Sequence, residues 1–158
     1  LASTPITVVC SGAKSILDLP KTLDMLEAYG VPVVGYQTDE FPAFYMHSSG
    51  LPLPHRLDSA EQIAELILYH QRLKMNNGIL VANPIPKAIE IPETTLLPII
   101  EQAKEEAKSQ NKGKQLSPFL LRRINELTAG QTLNANIELI KSNAQLGAEI
   151  ALAYQKNL

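Results

Sequence analysis

Ile6-Thr7-Val8-Val9-Cys10, then Ser11-Gly12-Ala13-Lys14-Ser15, then residues 18–29 and Val31-Pro32-Val33-Val34-Gly35-Tyr36 form the stretch on which the fold turns. The first piece is a β-branched run of strand length bounded by small residues, the pattern of a buried strand. The small residues after it let the backbone turn tightly. Leu19, Leu23 and Leu26 recur at helical spacing between Asp18 and Tyr29, and Gly30 supplies a C-terminal stop. A second β-branched run completes the unit. Strand, helix, strand predicts a right-handed crossover and a parallel pair.

Outward from that unit, residues 38–57 show no helical period and are rich in Pro, Gly and Ser, which predicts a long functional or mobile loop. Ser59 opens the next helix, with Gln62 three residues on as a capping box. Ile63, Leu66, Ile67 and Leu73 make its apolar stripe, with His70 on the flank and Gly78 beyond its end. Ile79-Leu80-Val81-Ala82 reads as a third strand, stopped by Asn83-Pro84-Ile85-Pro86. The remainder is helical: about 93–111, then Ser117 to Thr128, then about Leu133 to Lys156. Pro98 is expected to kink the first of these or move its start to about Leu97. Ser117 is expected as an N-cap with Pro118 at the first helical position. The order of elements predicts one α/β unit spanning 1–158, a three-layer α/β/α structure with a mixed, partly parallel sheet.

Composition narrows the function. At 158 residues, 45% apolar and 19% charged, the chain can bury a sizeable core. A net charge of −2 supplies no basic face for a nucleic-acid polymer or an anionic membrane, yet leaves room for a small anionic substrate. Cys10 is the only cysteine, so an internal disulfide and a cysteine-rich zinc site are both excluded, which suits a reducing, cytoplasmic compartment. No apolar run approaches the length that spans a bilayer. The chain opens at Leu1 with a strand-like run following at once, and we expect a piece of something longer.

Two positions stand out chemically. Lys14 follows the C-terminal end of the first strand, where ligand crevices form in open α/β sheets. There a lysine could hold phosphate as a point charge, act as a nucleophilic amine, or simply open a helix in solvent. In the last helix, Leu133, Ile137, Ile140, Ala144 and Ala148 form a helical apolar stripe expected to face the core, with Asn136 and Asn143 along its edge. A buried amide needs partners, and Asn offers donors and an acceptor that match a nucleobase edge. Either asparagine could instead tie the helix to a loop, the reading that Asn143 favours. His47, His55 and His70 lack metal-ligand spacing, Asp39 and Glu40 point apart on an extended chain, and Arg122 and Arg123 could reach a phosphate but are expected in solvent.

Val8-Val9-Cys10-Ser11-Gly12-Ala13-Lys14-Ser15-Ile16-Leu17-Asp18 resembles the nucleophile segment of the pseudouridine-5′-phosphate glycosidases, also called the indigoidine synthase A family. Five further phrases resemble that family in the same order: Gly30 to Tyr36, Phe41-Pro42-Ala43-Phe44, Val81 to Pro86, Ser117 to Leu121 and Asn136 to Ile140. The resemblance covers essentially the whole chain. It implies reversible cleavage of the C–C glycosidic bond of pseudouridine 5′-phosphate to uracil and ribose 5-phosphate. It also implies a Schiff-base adduct on Lys14 and a base held by Asn136.

Family members are about twice this length, so the chain corresponds to the C-terminal half of such an enzyme. The resemblance places a general-acid glutamate, a phosphate-binding lysine, the acid that binds a divalent metal (usually manganese) and a phosphate loop before the nucleophile segment. Activity is therefore expected to need the N-terminal half, with the metal held upstream and the parent enzyme a homotrimer. The alternatives are a non-catalytic module that binds a sugar phosphate or a partner, and another Schiff-base lyase on a similar crevice.

Overall fold

A computed structural model describes residues 1–109 and 116–157. The opening run forms β1 (Thr7–Cys10), followed by α1 (Leu19–Ala28) and β2 (Val33–Tyr36). Asp18 caps α1 by accepting the Lys21 N–H at 3.0 Å. Gly30, at φ +66, closes it as the Val31 N–H bonds back to the Leu26 carbonyl. A two-residue strand, β3 (Arg56–Leu57), lies at the end of the long loop and precedes α2 (Ala60–Arg72) and β4 (Ile79–Ala82). Its shortness hid it in the sequence. Ser59 caps α2 through the Gln62 N–H, as expected.

The strands stand in the order β1-β4-β2-β3, and every ladder among them is parallel. β1 and β2 are parallel but not neighbours, because β4 comes between them and pairs with both. The only antiparallel pairings described are isolated bridges, Gly12 with Ala43 and Glu40 with Pro52. Alternation along the strands divides two cores. Val8, Cys10, Val33, Leu80 and Ala82 face α1, meeting Leu19, Leu23 and Leu26. Val9, Val34, Ile79 and Val81 face the other way, toward Ile63 of α2 and the Leu146 and Ile150 side chains of the last helix. The α/β/α layering is thus present.

A second region is built of helices: α3 (Glu93–Ser109), α4 (Leu116–Leu127) and α5 (Gln131–Lys156). Leu96, Ile100, Ala103, Leu120, Ile124, Ala135 and Leu139 form its core. α3 begins at Glu93 and carries Pro98 inside it, so the start does not move to Leu97. The expected end near 111 lies outside the described residues. Ser117 lies inside α4, not at its cap. Leu73 is 73% exposed and leaves the α2 stripe, which ends on Ile67.

The largest correction concerns α5. Its core-facing residues are Thr132, Ala135, Leu139, Leu146, Ile150 and Ala153. The expected stripe of Leu133, Ile137, Ile140, Ala144 and Ala148 lies on the exposed side. Both sets satisfy helical spacing, so periodicity alone could not choose between them.

Candidate active site

Lys14 sits four residues past the end of β1, half-buried, in a loop fixed from several sides. Gly12 has φ +79 and approaches the Pro42 backbone so closely that a Cβ would lie 1.7 Å from the carbonyl oxygen. No residue with a side chain fits there. The Phe44 N–H donates to the Ser11 carbonyl at 3.0 Å, and the Ser15 hydroxyl donates to the Ala43 carbonyl. The loop carrying Lys14 and the segment 41–46 are therefore one clamped structure. Phe44 is held at φ +64, an unfavourable conformation for an aromatic residue, at the point where the segment turns toward Lys14.

The base of this loop is tied to α5. The Asn143 amide donates through Nδ2 to Ser11 Oγ at 3.1 Å, while its Oδ1 accepts from Asn83 Nδ2 at 2.9 Å. Asn83 also donates to Ser142 Oγ at 3.1 Å, and its own N–H bonds the Cys10 carbonyl at 2.7 Å. Ser11 and Asn83 are almost fully buried, so these bonds satisfy groups that have no access to bulk water. Asn143 thus joins the ends of β1 and β4 to the helix, the structural role expected for it. Burial raises the pKa of the adjoining Cys10 thiol, opposing thiolate chemistry there.

Asn136 lies two turns earlier on α5, half-buried, and lines the same cavity as Lys14. The cavity measures about 380 Å³. Phe44 and Tyr45 border it from the clamped segment, their rings edge to face at 4.8 Å between centroids. Burial raises the Tyr45 pKa, which keeps its phenol protonated. Arg122 and Asn125 of α4 border it on the far side. Asn125 Oδ1 accepts from Thr132 Oγ and from the Leu133 N–H, both at 3.1 Å, which fixes the α4–α5 corner beside Asn136. Among the described residues of the lining, Lys14 and Arg122 are charged and none is a carboxylate.

The structure brings Lys14 and Asn136 together across a sequence that separates them widely. Arg122, set aside in the sequence as solvent-exposed, is exposed and yet belongs to the cavity. Its neighbour Arg123 turns away to bind Glu106 and Glu126. Sequence reasoning missed Phe44 and Tyr45 as cavity walls, although Phe44 belongs to one of the family-like phrases. His47 donates its N–H to Glu90 and His55 and His70 lie elsewhere. Among the described residues no group of three or more His, Cys, Asp or Glu could hold a metal ion.

A family model described as indigoidine synthase A like protein matches residues 1–153. The chain belongs to this family. Among its curated relatives, the pseudouridine-5′-phosphate glycosidase of Legionella pneumophila is 65% identical over 158 residues, covering 100% of this chain and 51% of the relative. The enzyme of the same name from Methylobacterium nodulans is 53% identical over 154 residues, covering 97% and 46%. The chain thus spans about half the length of the curated relatives it matches. Among solved structures, the prealnumycin C-glycosynthase AlnA in complex with ribulose 5-phosphate superposes with a TM-score of 0.89 at 30% identity, over 97% of this chain and 51% of that one. An indigoidine synthase A-like protein from Thermotoga maritima gives 0.85 at 34% identity, over 99% and 51%. In both cases the shared span is about half of the solved chain.

Proposed function

We propose that this chain is the lysine-bearing half of a pseudouridine-5′-phosphate glycosidase, with Lys14 as the covalent nucleophile and Asn136 as the residue that holds the base. The observation that carries the reading is the shared cavity: an amine at the carboxyl end of a parallel sheet facing a side-chain amide. Membership of the family and the names of its curated relatives support the substrate. The pair of cations without a carboxylate fits an anionic sugar phosphate.

A carbon leaving group makes two-carboxylate glycoside hydrolysis unsuitable, and the described residues of the lining include no carboxylates with which to attempt it. In the proposed chemistry the C1′–O4′ bond of the ribose breaks and O4′ takes a proton from an acid outside this chain. The neutral Lys14 amine adds at C1′. The C1′–C5 bond then breaks as uracil C5 takes a proton, leaving an iminium between C1′ and Nζ. Water adds to the iminium and releases the aldehyde of ribose 5-phosphate, returning the free amine. Asn136 pairs with the base through its amide, orienting the bond to be broken. A divalent metal belongs to the proposed whole enzyme, but the described residues do not form its site, so no step here is routed through it. The homotrimer likewise belongs to the proposal for the whole enzyme.

The test is to incubate the chain with ribose 5-phosphate and borohydride and to map the product by mass spectrometry. The expected result is a reduced sugar adduct on Lys14, absent from Lys14→Arg, because a guanidinium cannot supply a neutral amine near neutral pH. With the remaining half of the Legionella relative added as a separate chain, uracil release from pseudouridine 5′-phosphate is expected, and both Lys14→Ala and Lys14→Arg abolish it. Substantial turnover by Lys14→Arg would make Lys14 a phosphate clamp. An adduct without turnover would favour a sugar-phosphate-binding module.

A further inference from the structure

The corner between α4 and α5 holds a side-chain amide whose orientation is fixed by chemistry. Asn125 Oδ1 accepts from Thr132 Oγ and from the Leu133 N–H, both at 3.1 Å. A backbone N–H can only donate, so the atom facing it is the amide oxygen, and turning the group over would lose both bonds. The anchor is also buried: Thr132 is 2% exposed, and its hydroxyl stands 3.3 Å from that of the buried Thr128. The Asn125 NH2 group has no protein partner among the described residues. Asn125, Thr132, Leu133 and Asn136 all line the Lys14 cavity, and Asn136 follows Thr132 and Leu133 by one turn on the same side of α5. Two amides therefore share one wall. Asn136 offers an acceptor and donors, whereas Asn125 has only its donors left to give.

We propose that Asn125 determines specificity for the base by donating to one of its carbonyl oxygens. The proposal rests on the reading that Asn136 holds the base. A dioxopyrimidine shows an edge of carbonyl oxygen, ring N–H and carbonyl oxygen: acceptor, donor, acceptor. The Asn136 amide satisfies the ring N–H and one carbonyl, and the second carbonyl then needs a donor. Asn125 is such a group, because Thr132 and Leu133 occupy its oxygen. A ring with an amino group at that position would set donor against donor and leave both unpaired, a mismatch that a hydrogen-bonding site rejects strongly. Arg122, on the same helix, already offers the cavity a charged donor suited to phosphate, which leaves the neutral amide to the neutral base.

The experiment titrates the isotope-labelled 158-residue chain with uracil and with its two monothio analogues, each of which exchanges one carbonyl oxygen for sulfur, a weaker acceptor. Side-chain amide resonances report binding. Uracil is expected to shift the NH2 signals of both Asn125 and Asn136, and each analogue to bind more weakly. Asn125→Ala should weaken uracil about threefold to tenfold and erase the penalty of one analogue while keeping that of the other. Asn125→Asp keeps an oxygen for Thr132 and Leu133 but turns a carboxylate oxygen on the carbonyl, so it should be worse than Asn125→Ala. A brace of the corner would show the reverse order, since aspartate preserves the bonds that alanine removes, and that order would overturn the proposal. So would analogue penalties that Asn125→Ala leaves unchanged, or an equal loss of ribose 5-phosphate binding. Should Asn125→Ala fail to fold by circular dichroism, Asn125→Asp and the Asn125 signal of the unsubstituted chain carry the test. A uracil shift at Asn136 without one at Asn125 sinks this proposal alone, whereas no shift at either sinks the base reading with it. The Lys14 adduct is formed with ribose 5-phosphate and no base, so its outcome decides neither.

Discussion

The sheet region and the helical region solve different problems. The sheet region places Lys14: a four-stranded parallel sheet lies between α1 on one face and α2 with the far end of α5 on the other, and the Lys14 loop leaves its carboxyl end. The helical region places the polar groups opposite it, since Arg122 and Asn125 come from α4 and Asn136 from the near end of α5. Among the described helices only α5 belongs to both cores, passing from Leu139 in one to Leu146 in the other. Asn143 lies at that changeover. The difference teaches that the amine and its facing amide are positioned by separate cores and kept in register by one helix.

The comparison breaks most easily in the helical core. Ile124 is 1% exposed, and Ile124→Ala should cost about 2–5 kcal/mol through lost burial and the cavity left behind. Hydrogen exchange should show α3 and α4 loosening while β4 stays protected. Equal loosening of both would mean that the two cores form a single cooperative unit. Asn143→Ala tests the joint itself. It leaves Asn83 and Ser11 with fewer partners in a buried setting, and urea denaturation should report a loss of about 1–3 kcal/mol. A neutral result would show that the amide network does not hold the regions together.

Asn136→Ala sharpens the division of labour. Losing one hydrogen bond to a neutral base should weaken uracil by about 1–2 kcal/mol and leave ribose 5-phosphate nearly unaffected, measured by competition with both halves present. Equal losses would assign Asn136 to the fold. The smallest effect is expected at the surface of the helical region. The Arg123 guanidinium, bonded to Glu106 between α3 and α4, holds the Glu106 carboxyl below its ordinary range. The stabilisation is therefore present above the unfolded-state value and is lost as pH falls through the folded one. Urea midpoints should drop as pH falls below about 5, and Glu106→Gln should flatten that slope. An unchanged slope in the variant would assign the acid sensitivity to other carboxylates.

The strands were legible because each principal one is a short run rich in β-branched residues and free of charge, and α1 and α2 because Asp18, Ser59 and Gly30 punctuate them. β3 was not, since two residues make no pattern. The position of β4 between β1 and β2 was also hidden, because local signals do not encode strand order. α5 was misread for a definite physical cause: a helix apolar on both sides offers two faces to the core, and each face carries three large aliphatic side chains, Leu133, Ile137 and Ile140 against Leu139, Leu146 and Ile150, so spacing and size could not choose. Lys14 could be singled out by its place after a strand, and Asn136 and Asn143 by their polarity beside apolar residues. That Phe44 and Tyr45 wall the cavity depends on the bridge between Gly12 and Ala43, a contact no spacing announces.

The bond between Ser11 and Asn143 spans 132 positions, so it closes a loop containing most of the chain. Closing such a loop is entropically more demanding than forming any local turn, although each doubling of its length adds only about 0.6 kcal/mol. Long-range closures of this kind are intrinsically slow to form, because the entropy of closing the loop is lost before the contact rewards it. The wall of the Lys14 cavity that carries Asn136 is therefore complete only once the last helix has packed, whereas the wall made by Phe44 and Tyr45 needs only a short closure.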